Sequence, residues 1–214
     1  MVSEATKQWE SLFRQALALI DSVEEAGVKL EDWTFGGGTV LMRRHMHRLS
    51  RDIDIFVGDP QYFGYLTPRL NSTAEAMTGN YIEQAHSLKL VLSDGEIDFV
   101  ASAPLTSNPF RIERIFERDV RVETSTEIVA KKLWHRGDQF TARDIFDLAM
   151  VAELEPEALE EIVPILQSRR DVILSRIDHL YSQLEEGFKA LVRLDYQRSF
   201  AECVDLVAKA FARD

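Results

Sequence analysis

The period of the hydrophobic pattern changes near residue 123, and this change constrains the fold more than any other feature of the sequence. Before that point, several segments alternate polar and apolar residues with the two-residue period of a strand. From Thr124 onward, apolar residues repeat only with helical spacing. We therefore predict an α+β chain, in which a mixed or antiparallel sheet flanked by helices occupies residues 1–123 and a helical bundle occupies residues 124–214.

Individual elements follow from these two periods and from the residues that interrupt them. Gly27 is a plausible end for the first helix, whereas Gly64 and Pro68 weaken a later helical pattern. The pair Asp94-Gly95 is a strong two-residue hairpin signal between two strands. The expected helices in the first part are 4–26, 39–45 and 61–77, and the expected strands are 32–36, 51–57, 80–85, 87–93, 95–101 and 119–123.

Two threonines mark helix starts in the second part of the chain. Thr124 and Glu127 have the spacing of a capping box, in which each side chain satisfies the free backbone N–H of the other residue. Thr141 is predicted to cap the next helix, where the helix dipole favours Asp144 in the first turn.

The composition indicates a folded chain that remains in the cytoplasm. Hydrophobic residues make up 45 % of 214 residues, so a core can be buried. The apolar runs fall short of the roughly 20 residues that span a bilayer, and the first ten residues lack the pattern of a secretion signal. With the single cysteine Cys203, no internal disulfide can form. We expect a cytoplasmic protein without a membrane partner.

The net charge of −11 argues against nucleic-acid binding by the whole surface, because phosphate binding needs clustered cations. Two basic groups can nevertheless be solvated helix faces or contact phosphates locally. Since the chain lacks a Cys/His framework with zinc spacing, their histidines are not predicted to bind metal. The groups are Arg43, Arg44, His45, His47, Arg48 and Arg51, and Lys131, Lys132, His135, Arg136 and Arg143.

Asp52 and Asp54 are the most informative pair of side chains. Because residues i and i+2 of a strand share a face, both carboxylates project together while Ile53 and Ile55 face the opposite layer. Adjacent carboxylates repel each other, and a cation such as Mg²⁺ or Mn²⁺ relieves that repulsion. The pair predicts a metal site, with a solvent-facing strand edge as the alternative.

A second strand repeats the pattern with Glu96 and Asp98 on one face. If this strand lies beside residues 51–57, Asp98 can complete a three-carboxylate site that holds two metal ions. Asp98 can instead be a surface residue of a hairpin. The spacing leaves open whether Glu96 or Asp98 is the third acid, because both share a face.

A glycine-rich turn precedes the carboxylate pair. Gly37 and Gly38 between a strand and a helix allow close approach of a ligand to the backbone. The following helix N-terminus offers free N–H groups suited to phosphate, and Thr39 adds a hydroxyl. By itself, such a turn is equally typical of a simple change of direction.

Three motifs in order resemble the AbiEii/AbiGii toxin family of nucleotidyltransferases, which belongs to the DNA polymerase β-like superfamily. The first covers Phe35–Phe56, where a Gly-Gly-Thr turn is followed by an Arg-x-Ser-x-Asp-x-Asp segment. Ala130–Leu133 resembles the family's lysine motif, and Arg143–Leu148 resembles its Arg-Asp-x-x-Asp motif. The resemblance spans about residues 35–148 and implies a nucleotidyltransferase-type sheet.

The resemblance implies a role for each matching residue. The turn Gly37-Gly38-Thr39 and Ser50 match the nucleotide-binding part, and Asp52 and Asp54 match the metal ligands. Lys132, or less favourably Lys131, matches a lysine that neutralises triphosphate charge. The acidic pair of the last motif is expected near the nucleotide or the acceptor, with Arg143 orienting it. Candidate catalytic residues are Asp52, Asp54, Asp98, Lys132 and Asp147, candidate metal ligands are Asp52, Asp54 and Asp98, and candidate nucleotide ligands are Gly37, Gly38, Thr39, Ser50, Lys132, Arg143 and Asp144.

The resemblance implies transfer of a nucleoside monophosphate from an NTP to an acceptor hydroxyl, with release of pyrophosphate. The acceptor can be tRNA, in a toxin that is paired with an antitoxin protein. Two alternatives stay open: an enzyme that modifies a small molecule such as an aminoglycoside or a protein, and a non-catalytic nucleotide-binding module. The base of the NTP (ATP, GTP or CTP) is not predicted.

Overall fold

The computed structural model describes residues 5–213, which form two compact units. The first unit contains the residues up to Val40 together with Ser50–Ala103 and Phe110–Glu123. The second unit contains Leu41–Leu49, Pro104–Pro109 and the chain from Thr124 onward. Each unit therefore draws on several separate segments of the sequence.

The first unit combines one long helix with a sheet and short helices. The long helix, α1, is Trp9–Glu25, and its buried residues recur at helical spacing. The strand β1, Thr34–Gly36, leads directly into the helix α2, Gly37–His45, whose residues after Val40 belong to the second unit. The remaining elements are β2 Ile53–Val57, α3 Phe63–Leu66, α4 Ser72–Met77, β3 Tyr81–Gln84, β4 Ser87–Leu92, β5 Gly95–Ala101, β6 Phe110–Ile115 and β7 Arg118–Glu123.

The strands form one seven-stranded sheet in the order β3-β4-β5-β2-β1-β7-β6. β2 runs parallel to β5 and β1 runs parallel to β7, whereas the other neighbouring pairs are antiparallel. The central pair of strands aligns Asp54 with Asp98 and Ile55 with Phe99. The sheet is therefore mixed, and acidic residues occupy its centre.

Apolar side chains from α1 and from one face of the sheet fill the core of this unit. Ile53, Ile55 and Phe99 are fully buried. The rings of Phe13 and Phe35 stack with their centroids 4.4 Å apart. Because successive side chains of a strand alternate between faces, burial of the isoleucines directs Asp54 to the opposite face.

The second unit is mainly helical. The Phe146 ring contacts the rings of Phe188 and Tyr196, with centroids 5.4 and 5.2 Å away. Its helices are α5 Ser125–Arg136, α6 Ala142–Leu154, α7 Val163–His179, α8 Tyr181–Lys189 and α9 Phe200–Phe211. Within residues 5–213, every helix is too short or too polar to span a bilayer.

The predicted α+β class is confirmed, but several elements differ from their predicted form. The helix expected over residues 61–77 is two short helices, because the chain becomes extended at Thr67, directly before Pro68. In the β4–β5 hairpin, Leu92 pairs with Gly95, so its two loop residues are 93 and 94. The helix expected over 4–26 is found as Trp9–Glu25, and its predicted first residue lies outside the described residues.

The two predicted helix caps also have different outcomes. Thr141 and Asp144 form a full capping box. Thr124 accepts the N–H of Glu127 at 3.2 Å, but the Glu127 carboxylate accepts backbone N–H groups of Leu105 and Thr106 instead. Only half of the first capping box therefore exists, because the glutamate binds a distant loop.

Candidate active site

The first unit brings three of the predicted acids onto one face of the sheet. Asp54 lies beside Asp98 across the parallel β2–β5 pair. Asp52 directly precedes β2, and its Oδ1 accepts the backbone N–H of Glu96 at 3.3 Å. Both strands alternate between buried apolar and part-exposed acidic residues, so the same pattern that builds the core also assembles this acidic face.

Lys89 of β4 neutralises part of the acidic face. It pairs in register with Asp98, and its Nζ lies 3.0 Å from Asp98 Oδ2 while also bonding the Glu96 carboxylate. Burial raises the pKa of Asp98 despite the opposing pull of Lys89. Burial opposes the charge of Lys89, but hydrogen bonds to Glu96 and Asp98 outweigh it and raise the pKa of the lysine. The sequence gives no motif for this residue, because its partners are fixed by strand order.

The glycine turn lies directly against the acidic pair. Gly37 has a φ of +73°, and a Cβ atom there would be 1.8 Å from Asp54 Oδ2. Only glycine fits both the backbone conformation and the contact. The start of α2 is thus held next to the Asp54 carboxylate.

Thr39 connects the turn to the segment before β2. Its fully buried hydroxyl lies 2.6 Å from the backbone oxygen of Asp52 and 3.1 Å from Ser50 Oγ. The hydroxyl hydrogen can be donated to only one acceptor, and the geometry favours the shorter contact. Thr39 therefore fixes the position of Asp52 relative to the turn.

In the second unit, Asp147 is the centre of a buried ionic cluster. Its carboxylate is fully buried and receives two 2.7 Å hydrogen bonds from Arg48, through Nε and Nη2. His47 Nε2 lies 2.8 Å from Asp147 Oδ1, and Lys132 Nζ lies 2.9 Å from Asp147 Oδ2. Burial opposes the charge of Asp147, but Arg48 and Lys132 hold its pKa well below the usual range.

Lys132 bridges the two acids of the last motif. Its Nζ lies 2.6 Å from Asp144 Oδ1 and 2.9 Å from Asp147 Oδ2. Burial lowers the pKa of a lysine, but here the two carboxylates together raise it. Burial likewise opposes the charge of Asp144, yet Lys132 and Arg136 lower its pKa. Lys131 instead faces Glu127 at 3.5 Å.

Sequence reasoning missed the roles of His47 and Arg48 in this cluster. The expectation that Arg143 orients the acidic pair is not met, because Arg143 is exposed and makes no ion pair with residues 5–213. Arg48 supplies the bidentate contact instead. Two facts could have indicated this contact: an aspartate buried within a helix, as Asp147 is, requires a cation, and Arg48 stands within the first motif.

The residues fit a divalent ion in the chemistry of their donors. Asp52, Asp54 and Asp98 offer the carboxylate oxygens that Mg²⁺ prefers. Over residues 5–213, however, no three His, Cys, Asp or Glu side chains are gathered closely enough to hold a metal ion. Asp98 is the acid that another cation, Lys89, already contacts.

Comparison with known proteins gives one family match and several structural likenesses. The family described as nucleotidyl transferase AbiEii toxin, type IV TA system, matches residues 24–213. Comparison with curated proteins gives no significant match.

Similar structures include JHP933 from Helicobacter pylori, with a TM-score of 0.55 at 14 % identity over 96 % of this chain and 91 % of that chain. MenT4, a nucleotidyltransferase toxin from Mycobacterium tuberculosis, has a TM-score of 0.52 at 18 % identity over 99 % and 85 %. The antibiotic-resistance factor ANT(2'')-Ia has a TM-score of 0.52 at 17 % identity over 84 % and 97 %. At these identities, the likenesses show a shared fold alone.

Proposed function

The chain belongs to the AbiEii nucleotidyltransferase toxin family, and from this premise we propose that it transfers a nucleoside monophosphate from an NTP to an acceptor hydroxyl and releases pyrophosphate. The observation that carries the proposal is the register of Asp54 beside Asp98, directly against the Gly37 turn. Such an arrangement puts oxygen ligands for a cation next to backbone groups for phosphate. The proposed cofactor is Mg²⁺ or Mn²⁺.

In this proposal, the acidic face holds the metal and the turn holds the nucleotide. Asp52, Asp54 and Asp98 are the ligands, and a bound divalent ion supplies charge neutralisation at the triphosphate and at the attacking hydroxyl. The backbone of residues 37–39 binds phosphate oxygens, with the Ser50 hydroxyl beside them. Thr39 keeps Asp52 in position through its 2.6 Å contact with the backbone.

The second unit contributes charge and positioning. We assign Lys132 to the triphosphate and the exposed Arg143 to the nucleotide. Asp144 serves the nucleotide site through Lys132, because its carboxylate is fully buried and lies 2.6 Å from Lys132 Nζ. Asp147 acts as a positioning residue, because its carboxylate is fully buried and already contacts Arg48, His47 and Lys132. We propose that residues 1–123 form the catalytic domain and that residues 124–214 form a helical domain that contributes the last two motifs.

We further propose a tRNA acceptor, an antitoxin protein as partner and a cytoplasmic site of action. The family description supports the toxin role. The test incubates the protein and Mg²⁺ with each labelled NTP and with total tRNA, aminoglycosides or a protein lysate. Label on tRNA is the expected result, and label found only on aminoglycosides or protein would overturn the RNA acceptor. Binding of NTP without transfer of label to tRNA, aminoglycosides or protein would overturn the proposed enzymatic activity and favour a non-catalytic nucleotide-binding module.

A further inference from the structure

Trp134 on α5 is far more exposed than the other two tryptophans of the chain. Its exposed fraction is 46 %, whereas Trp9 and Trp33 are 7 % and 8 % exposed. Keeping a large ring in water is unfavourable, and an aromatic face next to cations is typical of sites that stack bases.

Arg169 of α7 lies over the Trp134 ring, with Cζ 4.6 Å from the ring centroid. The aliphatic part of the Arg169 side chain lies next to Gly137, where a Cβ atom would be 3.4 Å from Arg169 Cδ. Within residues 5–213, Arg169 Nε has no hydrogen-bond partner, and no acid forms an ion pair with the guanidinium. Nε itself is buried, but the Arg169 side chain is part-exposed, so the terminal nitrogens of the guanidinium are the donors that can reach a phosphate oxygen.

Two further basic residues follow Trp134 along α5. Burial, together with the neighbouring cations Lys131, Arg169 and Arg136, lowers the pKa of His135, so its imidazole adds a neutral hydrogen-bonding group rather than a charge. The Arg136 side chain is 54 % exposed, and its contact with Asp144 is long, at 3.7 Å. In a chain with a net charge of −11, Arg169 therefore places a guanidinium that has no acidic partner among residues 5–213 against an accessible aromatic ring.

We propose that the Trp134 patch, which consists of Trp134 and Arg169, binds single-stranded RNA. A base stacks on the open side of the Trp134 ring, and the guanidinium of Arg169 contacts a neighbouring phosphate. A cationic aminoglycoside would be repelled by the same guanidinium, which favours RNA as the ligand. The inference that this RNA is the acceptor strand rests on the proposed nucleotidyl transfer, whereas the inference that the patch binds RNA does not.

The experiment measures binding of a short fluorescent single-stranded RNA by anisotropy, without NTP or divalent metal. The variants are Trp134→Ala, Trp134→Phe and Arg169→Gln, and the matched control is Arg111→Gln, which removes an exposed cation on β6. Loss of the ring should weaken binding roughly fivefold or more, and phenylalanine should retain most of it. Arg169→Gln should reduce the slope of log K against log salt by about 0.7. Thermal melts confirm that each variant is folded.

A second measurement uses the fluorescence of the protein. Because the other two tryptophans are buried, acrylamide quenches mainly the emission of Trp134. RNA should therefore reduce quenching of the wild-type protein and should not change the quenching of Trp134→Phe. Unaltered RNA affinity in Trp134→Ala, an equal loss in Arg111→Gln, or equally strong competition by polyglutamate would overturn the proposal.

The two proposals, RNA binding at the Trp134 patch and nucleotidyl transfer, are contradicted by different results. RNA binding through Trp134 without any transfer of label would overturn the proposed enzyme and leave the patch standing. Transfer to RNA with an unchanged KM in Trp134→Ala would leave the enzyme standing and overturn the patch.

Discussion

At the scale of single residues, the contact between Gly37 and Asp54 is the most restrictive feature of the acidic face. A side chain at Gly37 would both collide with the Asp54 carboxylate and adopt a φ of +73°. We predict that Gly37→Ala lowers the free energy of unfolding by about 1–3 kcal/mol, through backbone strain and displacement of the carboxylate. Denaturant titration measures this loss. Gly58→Ala is the control, since its Cβ would contact nothing within 4 Å.

Asp54 itself is predicted to serve catalysis more than stability. Asp54→Asn preserves the shape of the side chain but removes the charge that a divalent ion needs, so transfer should fall at least about a hundredfold. The melting temperature should stay close to that of the wild type. Asp94→Asn at the exposed hairpin loop should change neither property. A large fall in melting temperature for Asp54→Asn would instead make Asp54 a structural residue.

At the scale of elements, β4, β5 and β2 place Lys89, Asp98 and Asp54 in one row across the sheet. In the proposed metal site, Lys89 would compete with the divalent ion for the Asp98 carboxylate, which it contacts at 3.0 Å. We predict that Lys89→Met strengthens Mn²⁺ binding roughly threefold to tenfold, as expected for the loss of one partly exposed ion pair. Calorimetric titration with Mn²⁺ gives the Kd.

Lys29→Met is the control for this titration, because Lys29 is exposed and pairs only with Glu31 among the described contacts. Its Mn²⁺ affinity should equal that of the wild type. An unchanged Kd in Lys89→Met would show that Asp98 takes no part in metal binding.

The residues of this row show which features of the site can be predicted from the sequence alone. Alternation in β2 and β5 predicted an acidic face, because the two-residue period is a local property. The sequence did not predict the edge strand β6, since its Ile112 is 60 % exposed and Ile115 is its single buried residue, so polar and apolar residues do not alternate clearly. The contact between Arg48 and Asp147 joins residues 99 positions apart, and no local period encodes such a pairing.

At the scale of the whole molecule, both units contain cations that contact carboxylates of the same unit. In the first unit, the part-exposed Lys89 contacts Glu96 and Asp98, and in the second unit Arg48 and Lys132 contact the fully buried Asp147 and Asp144. Removing one member of the buried set leaves an uncompensated buried charge, which typically costs about 3–5 kcal/mol. Global stability should therefore depend on pH through the groups inside these clusters.

The buried cluster of the second unit predicts two steps of acid destabilisation. Burial lowers the pKa of His47 below its ordinary value, even though Asp147 accepts its hydrogen bond. As pH falls below about 6.5, the unfolded chain takes up this proton before the folded one, so stability decreases by up to about 1.4 kcal/mol per pH unit. Arg48 and Lys132 hold the pKa of Asp147 well below its usual range against the effect of burial. Its contribution is therefore lost only below about pH 4.

His47→Gln separates these two steps. Glutamine can donate to Asp147 but does not titrate, so the loss of stability between about pH 6.5 and about pH 5 should become smaller, while the loss below about pH 4 remains. Denaturant unfolding from about pH 7.5 to about pH 3.5 measures both windows. His86→Gln, at an exposed position, should keep the wild-type profile. A His47→Gln profile that retains the full decrease near pH 6 would mean that His47 is protonated in the folded chain, and the buried cluster would then carry one more positive charge than its two carboxylates offset.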